Sequence, residues 1–256
     1  MAAGKTTASM ALAKSSWWKD HKDSSVVVNA DEFKLSDPQS AYPHAEAHVS
    51  STQEAENLLV QALNQGRSIV FDSTMMWRPF IEQMVAMVRR AHVTLFKRGR
   101  GYLPHDDIEE YFVPLEKRPQ RLQRPYKIHF LGITVEPDIA VPRGFIRKFT
   151  TGRGVPIPTQ LRSFKFFAEN FPHYVPLMDS TTLYDNNVYV NLEKGELPPV
   201  MAEKNEETKN NLCIRDKVAY QKFQRQTTIN EDADNIWEIY PSDNVTFNTS
   251  SIHSNV

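Results

Sequence analysis

The sequence predicts an α/β fold in which a mainly parallel β-sheet is flanked by helices. Three short apolar runs, at 25–29, 68–71 and 127–135, end in polar residues, a pattern typical of strands buried on both faces. The stretches 52–65 and 79–92 lie between them and place apolar residues at helical spacing. Strands that alternate with helices in this way favour a parallel sheet, whose ligands bind beyond the carboxyl ends of the strands.

The two predicted helices have recognisable ends. The helix over 52–65 stops at Gly66, a residue that commonly terminates helices, and the helix over 79–92 begins at Pro79, which suits a first turn. Their apolar faces consist of Ala55, Leu58, Leu59, Ala62 and Leu63 in the first helix and Ile81, Met84, Val85, Met87 and Val88 in the second. Residues 93–125 are longer than a usual connection and predict an inserted hairpin followed by a basic linker.

The composition is that of a globular protein. Of the 256 residues 40% are hydrophobic and 24% are charged, so there is enough apolar material for a sizeable core. Thirty Lys and Arg balance thirty-one Asp and Glu, and the resulting net charge of −1 argues against a general nucleic-acid coat protein. The single cysteine, Cys213, excludes an intrachain disulfide and a cysteine-based zinc site.

The sequence also carries signals about location. It has no apolar run of the roughly 18 residues that span a bilayer, and no signal-peptide pattern at its start. We therefore expect a cytoplasmic protein, or one of an organelle, that has no membrane partner.

Charge is distributed unevenly along the chain. Residues 87–165 contain sixteen Lys and Arg against seven Asp and Glu, and such a local surplus of positive charge fits an anionic ligand. From about residue 196 onward the chain is polar. We predict a domain over 1–195, with 93–125 as an insertion, and a polar C-terminal extension over 196–256.

The first chemical signal is the second half of a phosphate-binding P-loop motif, formed by Gly4, Lys5, Thr6 and Thr7. In such a loop the amides cradle phosphate, the lysine reaches the terminal phosphates, and the following hydroxyl ligates Mg²⁺. We therefore predict that these residues bind ATP, with Mg²⁺ on Thr6. The motif's first glycine and its strand would precede Met1, so the first strand of the sheet is expected to be missing. The first two predicted strands would then be separated from the third. A helix start with a threonine cap is the alternative.

Acidic residues follow the first two predicted strands. Asp31 comes about 25 residues after the Gly-Lys-Thr sequence, where a carboxylate can accept a proton from a hydroxyl that is being phosphorylated. Asp72 ends the next strand and is predicted to hold Mg²⁺ through water or to orient the substrate. Thr74 and Lys34 are further candidates for substrate contact. The alternative for both acids is a helix cap.

A basic segment is the third signal. Arg143 and Arg147 are four residues apart, so they share one helix face. Arg153 lies between two glycines, and this flexible sequence could bring an arginine onto a transferring phosphate, as many phosphoryl-transfer proteins require. For Arg147 a solvated basic helix is an equal alternative.

These motifs together resemble the zeta toxin family of P-loop kinases, and most of all its plant branch. The resemblance covers about residues 1–185. It rests on Gly4-Lys5-Thr6, Val28-x-x-Asp31-x-Phe33-Lys34, Phe71-Asp72-Ser73-Thr74, Trp77-x-Pro79-Phe80, Gly99-x-Gly101-Tyr102, Gly152-Arg153-Gly154-Val155-Pro156 and Gln160-Leu161-Arg162-Ser163-Phe164-Lys165-Phe166-Phe167.

The resemblance implies a P-loop kinase fold and an ATP-dependent kinase. Bacterial zeta enzymes phosphorylate a sugar hydroxyl of UDP-N-acetylglucosamine, so a small acceptor of the nucleotide-sugar type is expected here. By the same resemblance Lys5 and Thr6 would bind the ATP phosphates and Mg²⁺, and Asp31 would be the general base. Arg153 would be the lid arginine on the γ-phosphate, and Arg147 the arginine of the preceding helix.

Two other functions remain open from the sequence. Because half of the phosphate-binding motif is absent, the chain could be a non-catalytic binding or regulatory module with the shape of a kinase. The basic surplus over 87–165 also suits a kinase that acts on RNA ends, although nucleic acid is the less favoured partner, since a solvated basic surface explains it as well. The sequence does not identify a protein partner.

Overall fold

The computed structural model of this chain describes residues 3–5, 9, 13, 16–30, 44–103, 108–152, 154–191 and 194–240. The predicted α/β class is confirmed, because parallel strands are flanked by helices. The elements in chain order are α1 (Ser16–His21), β1 (Ser25–Asn29), α2 (His44–Asn64), β2 (Ser68–Asp72), α3 (Arg78–Arg90), β3 (Thr94–Leu103), β4 (Ile108–Lys117), β5 (His129–Thr134), α4 (Pro137–Thr151), α5 (Ile157–Tyr174), β6 (Ser180–Asp185), β7 (Val200–Lys204), β8 (Cys213–Ile214) and α6 (Lys217–Arg225).

The first sheet is a parallel pair formed by β1 and β2. Val27 lies opposite Val70, and Asn29 lies opposite Asp72 at the carboxyl ends of the two strands. The predicted helices at 52–65 and 79–92 correspond to α2 and α3, and the proline in the first turn of α3 is where the sequence placed it.

The second sheet has the strand order β5-β6-β7-β8. The first pair is parallel, as predicted for strands joined by helices, whereas β7 and β8 return antiparallel. Gly132 in β5 is needed for close packing, because a Cβ there would lie only 2.9 Å from Leu183 Cδ1. Among the strands that the structure describes, none joins β2 to β5.

The predicted insertion contains the antiparallel hairpin β3–β4. The side chain of Asn64 ties it to the end of α2, since its amide donates to Phe96 O at 2.7 Å and its oxygen accepts from Phe96 N at 3.0 Å. In the basic linker that follows, Arg118 donates to the carbonyl oxygens of Leu63, Asn64 and Ala91 at 2.7 to 3.0 Å. Arg118 therefore satisfies the carbonyls at the ends of α2 and α3.

One large apolar core extends across both sheets. It includes an aromatic cluster on α5, β5 and α6, formed by Phe130, Phe167, Phe171, Tyr174 and Phe223. Met201 and Ala202 of β7 and Val28 of β1 are fully buried in the same core. Residues beyond 196 thus share a core with the strands that precede them.

A polar contact joins the two halves of the molecule at the edge opposite the carboxyl ends of the parallel strands. Arg89, in the last turn of α3, donates to Asp179 Oδ2 at 2.6 Å and to Leu177 O at 2.8 Å. Asp179 also accepts the amide of Ile128 at 2.7 Å, just before β5. No helix among the described residues is long and apolar enough to cross a membrane.

Candidate functional site

The candidate site lies at the carboxyl ends of β1 and β2. The Lys5 ammonium donates to Asp72 Oδ1 at 2.5 Å, and the Asn29 side-chain amide donates to Asp72 Oδ2 at 3.4 Å. The side chains of Lys5 and Asp72 remain 35% and 22% exposed, so solvent and ligands can reach them. Two separate sequence signals, the Gly-Lys sequence and the acid that ends β2, therefore meet at one point of the fold.

The backbone before Lys5 is held at the end of β6. Asn186 donates its side-chain amide to Ala3 O at 2.6 Å. Gly4 has a φ of 86°, and a Cβ at this position would lie 2.3 Å from Asn186 Nδ2. Glycine is favoured here, because a side chain would be strained at this φ and would displace the Asn186 amide.

A narrow cleft of about 40 Å³ opens beside Lys5, between the end of β2 and β5. Thr74 belongs to it, so the structure brings three of the predicted site residues together: Lys5, Asp72 and Thr74. The described lining is completed on the β2 side by Ser73 and Met75, on β5 by Phe130, Leu131, Gly132 and Ile133, and on α5 by Ser163, Phe164 and Phe167.

The backbone between β2 and α3 is rigidly held. Met75 has a φ of 56°, a left-handed conformation that non-glycine residues seldom adopt and that costs about 1–3 kcal/mol. Tyr174 donates its hydroxyl to Met75 O at 3.0 Å, and Asn170 donates to Met76 O at 2.9 Å. Helix α5 thereby determines the path of the chain as it leaves Asp72.

The chain then reaches two exposed aromatic side chains, Trp77 and Tyr102, which we call the aromatic corner. The rings of Trp77 and Tyr102 lie 6.0 Å apart at an interplanar angle of 73°. The Trp77 indole donates to the hydroxyl of buried Tyr111 at 2.7 Å, so its orientation is determined. Sequence reasoning assigned no function to these residues, although Trp77 and Tyr102 stood in the quoted motifs.

Asn186 was also missed by the sequence reasoning. A signal for it existed, because the polar residues 185–187 follow β6 as Asn29 and Asp72 end β1 and β2. The apolar neighbours of Ala3 come from far along the chain: they include Ile229 and Ile239, so residues after α6 support the loop that carries Lys5.

The basic helix α4 stands apart from the described cleft. Arg143 and Arg147 are exposed on it, and no residue of α4 belongs to the cleft lining that the structure describes. The remaining predicted site residues are Thr6, Thr7, Asp31, Lys34 and Arg153, which lie outside the described residues. Their assigned roles, and that of Arg147, stay predictions.

A half-buried acid, Glu136, immediately precedes α4. Burial raises the pKa of Glu136, while hydrogen bonds from the Tyr240 hydroxyl at 3.1 Å and the Gln226 amide at 3.5 Å act in the opposite direction. Burial also raises the pKa of Tyr240, so this hydroxyl stays protonated and able to donate. Among the described residues, no cluster of three or more His, Cys, Asp or Glu side chains could hold a metal ion.

The fold and the site define an α/β protein with a lysine–carboxylate pair at the carboxyl ends of its parallel strands. No protein-family model matches the chain. The chain is similar to a protein of Arabidopsis thaliana named calmodulin calcium-dependent NAD kinase, with 33% identity over 261 residues. That alignment covers 94% of this chain and 47% of the relative, so the chain spans about half the relative's length.

This comparison corrects the family inferred from the motifs. Membership of the zeta toxin family was wrong: no family model supports it, and the similar protein is named as a NAD kinase. The physical reason is that short motifs such as Gly-Lys-Thr follow from what phosphate binding requires of a loop, and therefore occur without common family membership.

Proposed function

We propose that this chain is a kinase domain that transfers a phosphoryl group from ATP to a hydroxyl of a small nucleotide, with NAD as the first acceptor to test. The observation that carries the proposal is the Lys5–Asp72 pair at the carboxyl ends of β1 and β2. Ligands of parallel α/β sheets bind at this edge. The printed name of the Arabidopsis relative supports the same reaction class.

The chemistry of Gly4 and Lys5 supports a phosphate site. Gly4 has a positive φ, and Asn186 fills the space where its side chain would lie, so Gly4 positions the loop that carries Lys5. The Lys5 ammonium is a compact positive charge, which suits the terminal phosphates of ATP. This half of a P-loop motif is the basis for proposing a P-loop type of kinase fold.

The residues at this edge also fit Mg²⁺. Magnesium in kinases is held by one or two carboxylates together with substrate phosphates, and it neutralises the charge that develops on the phosphoryl oxygens. Asp72 offers one carboxylate beside Lys5, and Thr6, the next residue along the chain, offers a hydroxyl. Asp72 would also orient Lys5 between the phosphates and the sheet.

The other proposed roles follow the order of the chain. Asp31 comes two residues after Asn29, whose amide contacts Asp72. We assign Asp31 the role of the base that accepts the proton of the acceptor hydroxyl. Thr74 in the cleft and Lys34 would contact the acceptor. Arg147 and Arg153 would neutralise charge on the transferring phosphoryl group.

The test is a phosphotransfer assay with Mg·ATP and three acceptors: NAD, UDP-N-acetylglucosamine and a 5′-hydroxyl RNA oligonucleotide. Formation of NADP that disappears in Lys5→Ala and persists in Lys19→Ala, an exposed lysine of α1, is the expected result. A parallel set with Ca²⁺ and calmodulin tests whether the regulation in the relative's name applies here.

The assay also separates the rival functions. Phosphorylation of the oligonucleotide alone, with binding that weakens steeply as salt rises, would replace the proposal with an RNA-end kinase. Mg·ATP binding that requires Lys5 but gives no product with any acceptor would indicate a non-catalytic module.

A further inference from the structure

We infer that Trp77 and Tyr102 form the platform that binds the planar base of the acceptor nucleotide, next to the Lys5–Asp72 pair. This inference rests on the proposed function and extends it to the class of acceptor. It assigns a binding role to two side chains that come from different elements, one at the start of α3 and one in β3.

Both side chains are unusually accessible for large aromatic residues that touch each other. Trp77 is 42% exposed and Tyr102 is 55% exposed. Their rings, 6.0 Å apart and inclined at 73°, form an open corner. A planar ring can stack on one face while its edge meets the other ring, the geometry that aromatic groups prefer.

The corner is built before any ligand arrives. The Trp77 indole is anchored on Tyr111, which is itself packed edge-on against Phe80 at a ring distance of 5.1 Å. Tyr102 is placed by the hairpin, where it pairs with Glu109 on β4. A preorganised pair of rings loses little conformational freedom on binding, so more of the stacking energy appears as affinity.

The corner is also connected to the site of chemistry by a rigid path. Met75 lines the same cleft as Lys5, and its carbonyl is held by Tyr174. Trp77 follows Met75 by two residues, and the carbonyl between them is held by Asn170. Movement of Trp77 relative to Asp72 is therefore restricted by helix α5.

The position of the corner favours the acceptor over ATP. The two substrates must approach the transferring phosphoryl group from opposite sides. On one side the Lys5 loop rests on Asn186, at the end of β6. Trp77 and Tyr102 lie outside the cleft that Lys5 and Thr74 line, in the direction in which β2 leads into α3, and we assign that side to the acceptor.

The chemistry of the rings indicates which base should bind best. NADP carries its added phosphate on the adenosine ribose, so the base beside the transferred phosphoryl group is adenine. A planar adenine can stack on the exposed rings of Trp77 and Tyr102. The platform should therefore favour acceptors that contain adenosine over those that contain only nicotinamide.

The test compares Trp77→Ala and Tyr102→Ala with Trp237→Ala, a matched tryptophan that is 77% exposed on the segment after α6. We expect the KM for NAD to rise about ten- to a hundredfold in the first two variants, because loss of one stacking contact has this effect. The KM for ATP and kcat should stay within about twofold, and Trp77→Phe should lose less than Trp77→Ala.

Binding measured by calorimetry gives a readout that does not need turnover. NAD, nicotinamide mononucleotide, AMP and ribose 5-phosphate are titrated into each variant. Ligands that contain a base should bind more weakly to Trp77→Ala, with a larger loss for AMP than for nicotinamide mononucleotide, whereas the affinity for ribose 5-phosphate should be unaffected. Thermal unfolding of each variant shows whether it is folded.

Several outcomes would overturn the inference. Unchanged NAD affinity in folded Trp77→Ala and Tyr102→Ala would contradict the proposed platform. A rise in the KM for ATP with no change in the KM for NAD would contradict it too. If the wild-type chain transfers no phosphate, the proposed function fails. The platform would still be supported by NAD binding that depends on Trp77, and overturned by NAD binding that does not.

Discussion

The β1–β2 and β5–β8 sheets of this protein differ in how they are used. In the β1–β2 sheet every residue of β2 is half-buried, and its carboxyl end carries the accessible Lys5–Asp72 pair. In the β5–β8 sheet Leu183, Met201 and Ala202 are fully buried under an aromatic cluster. The site and the core meet where Phe130 and Phe167 line the cleft, but the Lys5–Asp72 pair itself lies outside the core, so its loss should leave the core largely intact.

The reason for the difference is physical. A site that binds phosphate needs charged side chains that a ligand can reach, and such side chains cannot be packed as tightly as a core. The molecule compensates with close packing elsewhere, since folding requires a large buried apolar surface.

The largest expected effect is on stability and comes from the β5–β8 side. Phe171 is fully buried and touches the rings of Phe130, Phe167 and Phe223. Phe171→Ala should lower the free energy of unfolding by about 3–5 kcal/mol, because it leaves a cavity among these rings. Chemical denaturation measures this. Phe149→Ala, at a residue of α4 that is 86% exposed, should change it by less than about 0.5 kcal/mol.

The second effect is on activity and comes from the β1–β2 side. Lys5→Ala should reduce kcat/KM for phosphotransfer by about 10²–10³-fold, as expected when a charge that stabilises the transition state is removed. Its free energy of unfolding should fall by no more than about 1 kcal/mol, because the ion pair with Asp72 is partly exposed. A large loss of stability in this variant would contradict the separation of the two regions.

The third prediction concerns the contact of Gly4 with Asn186, which joins the loop that carries Lys5 to the end of β6. Gly4→Ala places a methyl group 2.3 Å from Asn186 Nδ2 at a φ of 86°, so we expect a cost of about 1–3 kcal/mol and weaker ATP binding. Asn186→Ala should remove the steric part of that cost when the two changes are combined. ATP titration of the single and double variants measures the coupling, and strictly additive effects would argue against this contact.

The smallest effect is a dependence of stability on pH. The pKa of Glu136 is raised in the folded protein from its ordinary 4.5, so the unfolded chain loses this proton first as pH rises. Stability from this group is thus present below pH 4.5 and is lost as pH rises through the folded-state pKa.

Glu136→Gln should consequently melt higher than the wild type at pH 7, by about 2 °C or less, and equally at pH 4. Thermal unfolding at the two pH values tests this, and Glu169→Gln, at an exposed acid of α5, controls for the loss of one negative charge. A larger gain in melting temperature at pH 4 than at pH 7 would show that folding does not raise the pKa of Glu136.

Much of the fold could be predicted because its signals are local. The apolar runs correctly located β1, β2 and β5, and the helical spacing located α2 and α3. The hairpin was predicted from the length of residues 93–125 and from the glycines in that stretch. The family was inferred wrongly, since the motifs report which residues a phosphate site needs and not the ancestry of the chain.

The candidate site was only partly predictable. Lys5 and Asp72 were identified separately from a glycine-lysine sequence and a strand end. The polar run at 185–187 could have marked Asn186 as a candidate, but no sequence signal showed that it would hold the loop before Lys5, or that Trp77 would meet Tyr102. Each of these pairs depends on how helices, hairpin and sheets pack.

Local chemistry was thus readable from the chain: hydrophobic periodicity specified the strands and helices, and residue type specified which side chains could bind phosphate. The arrangement of those side chains was settled by packing. Contacts such as Lys5 with Asp72, 67 residues apart, form because the buried faces of α2, α3 and α5 hold the strand ends together. Long-range contacts of this kind have no signature in any short stretch of sequence, since they result from the sum of many burial energies across the fold.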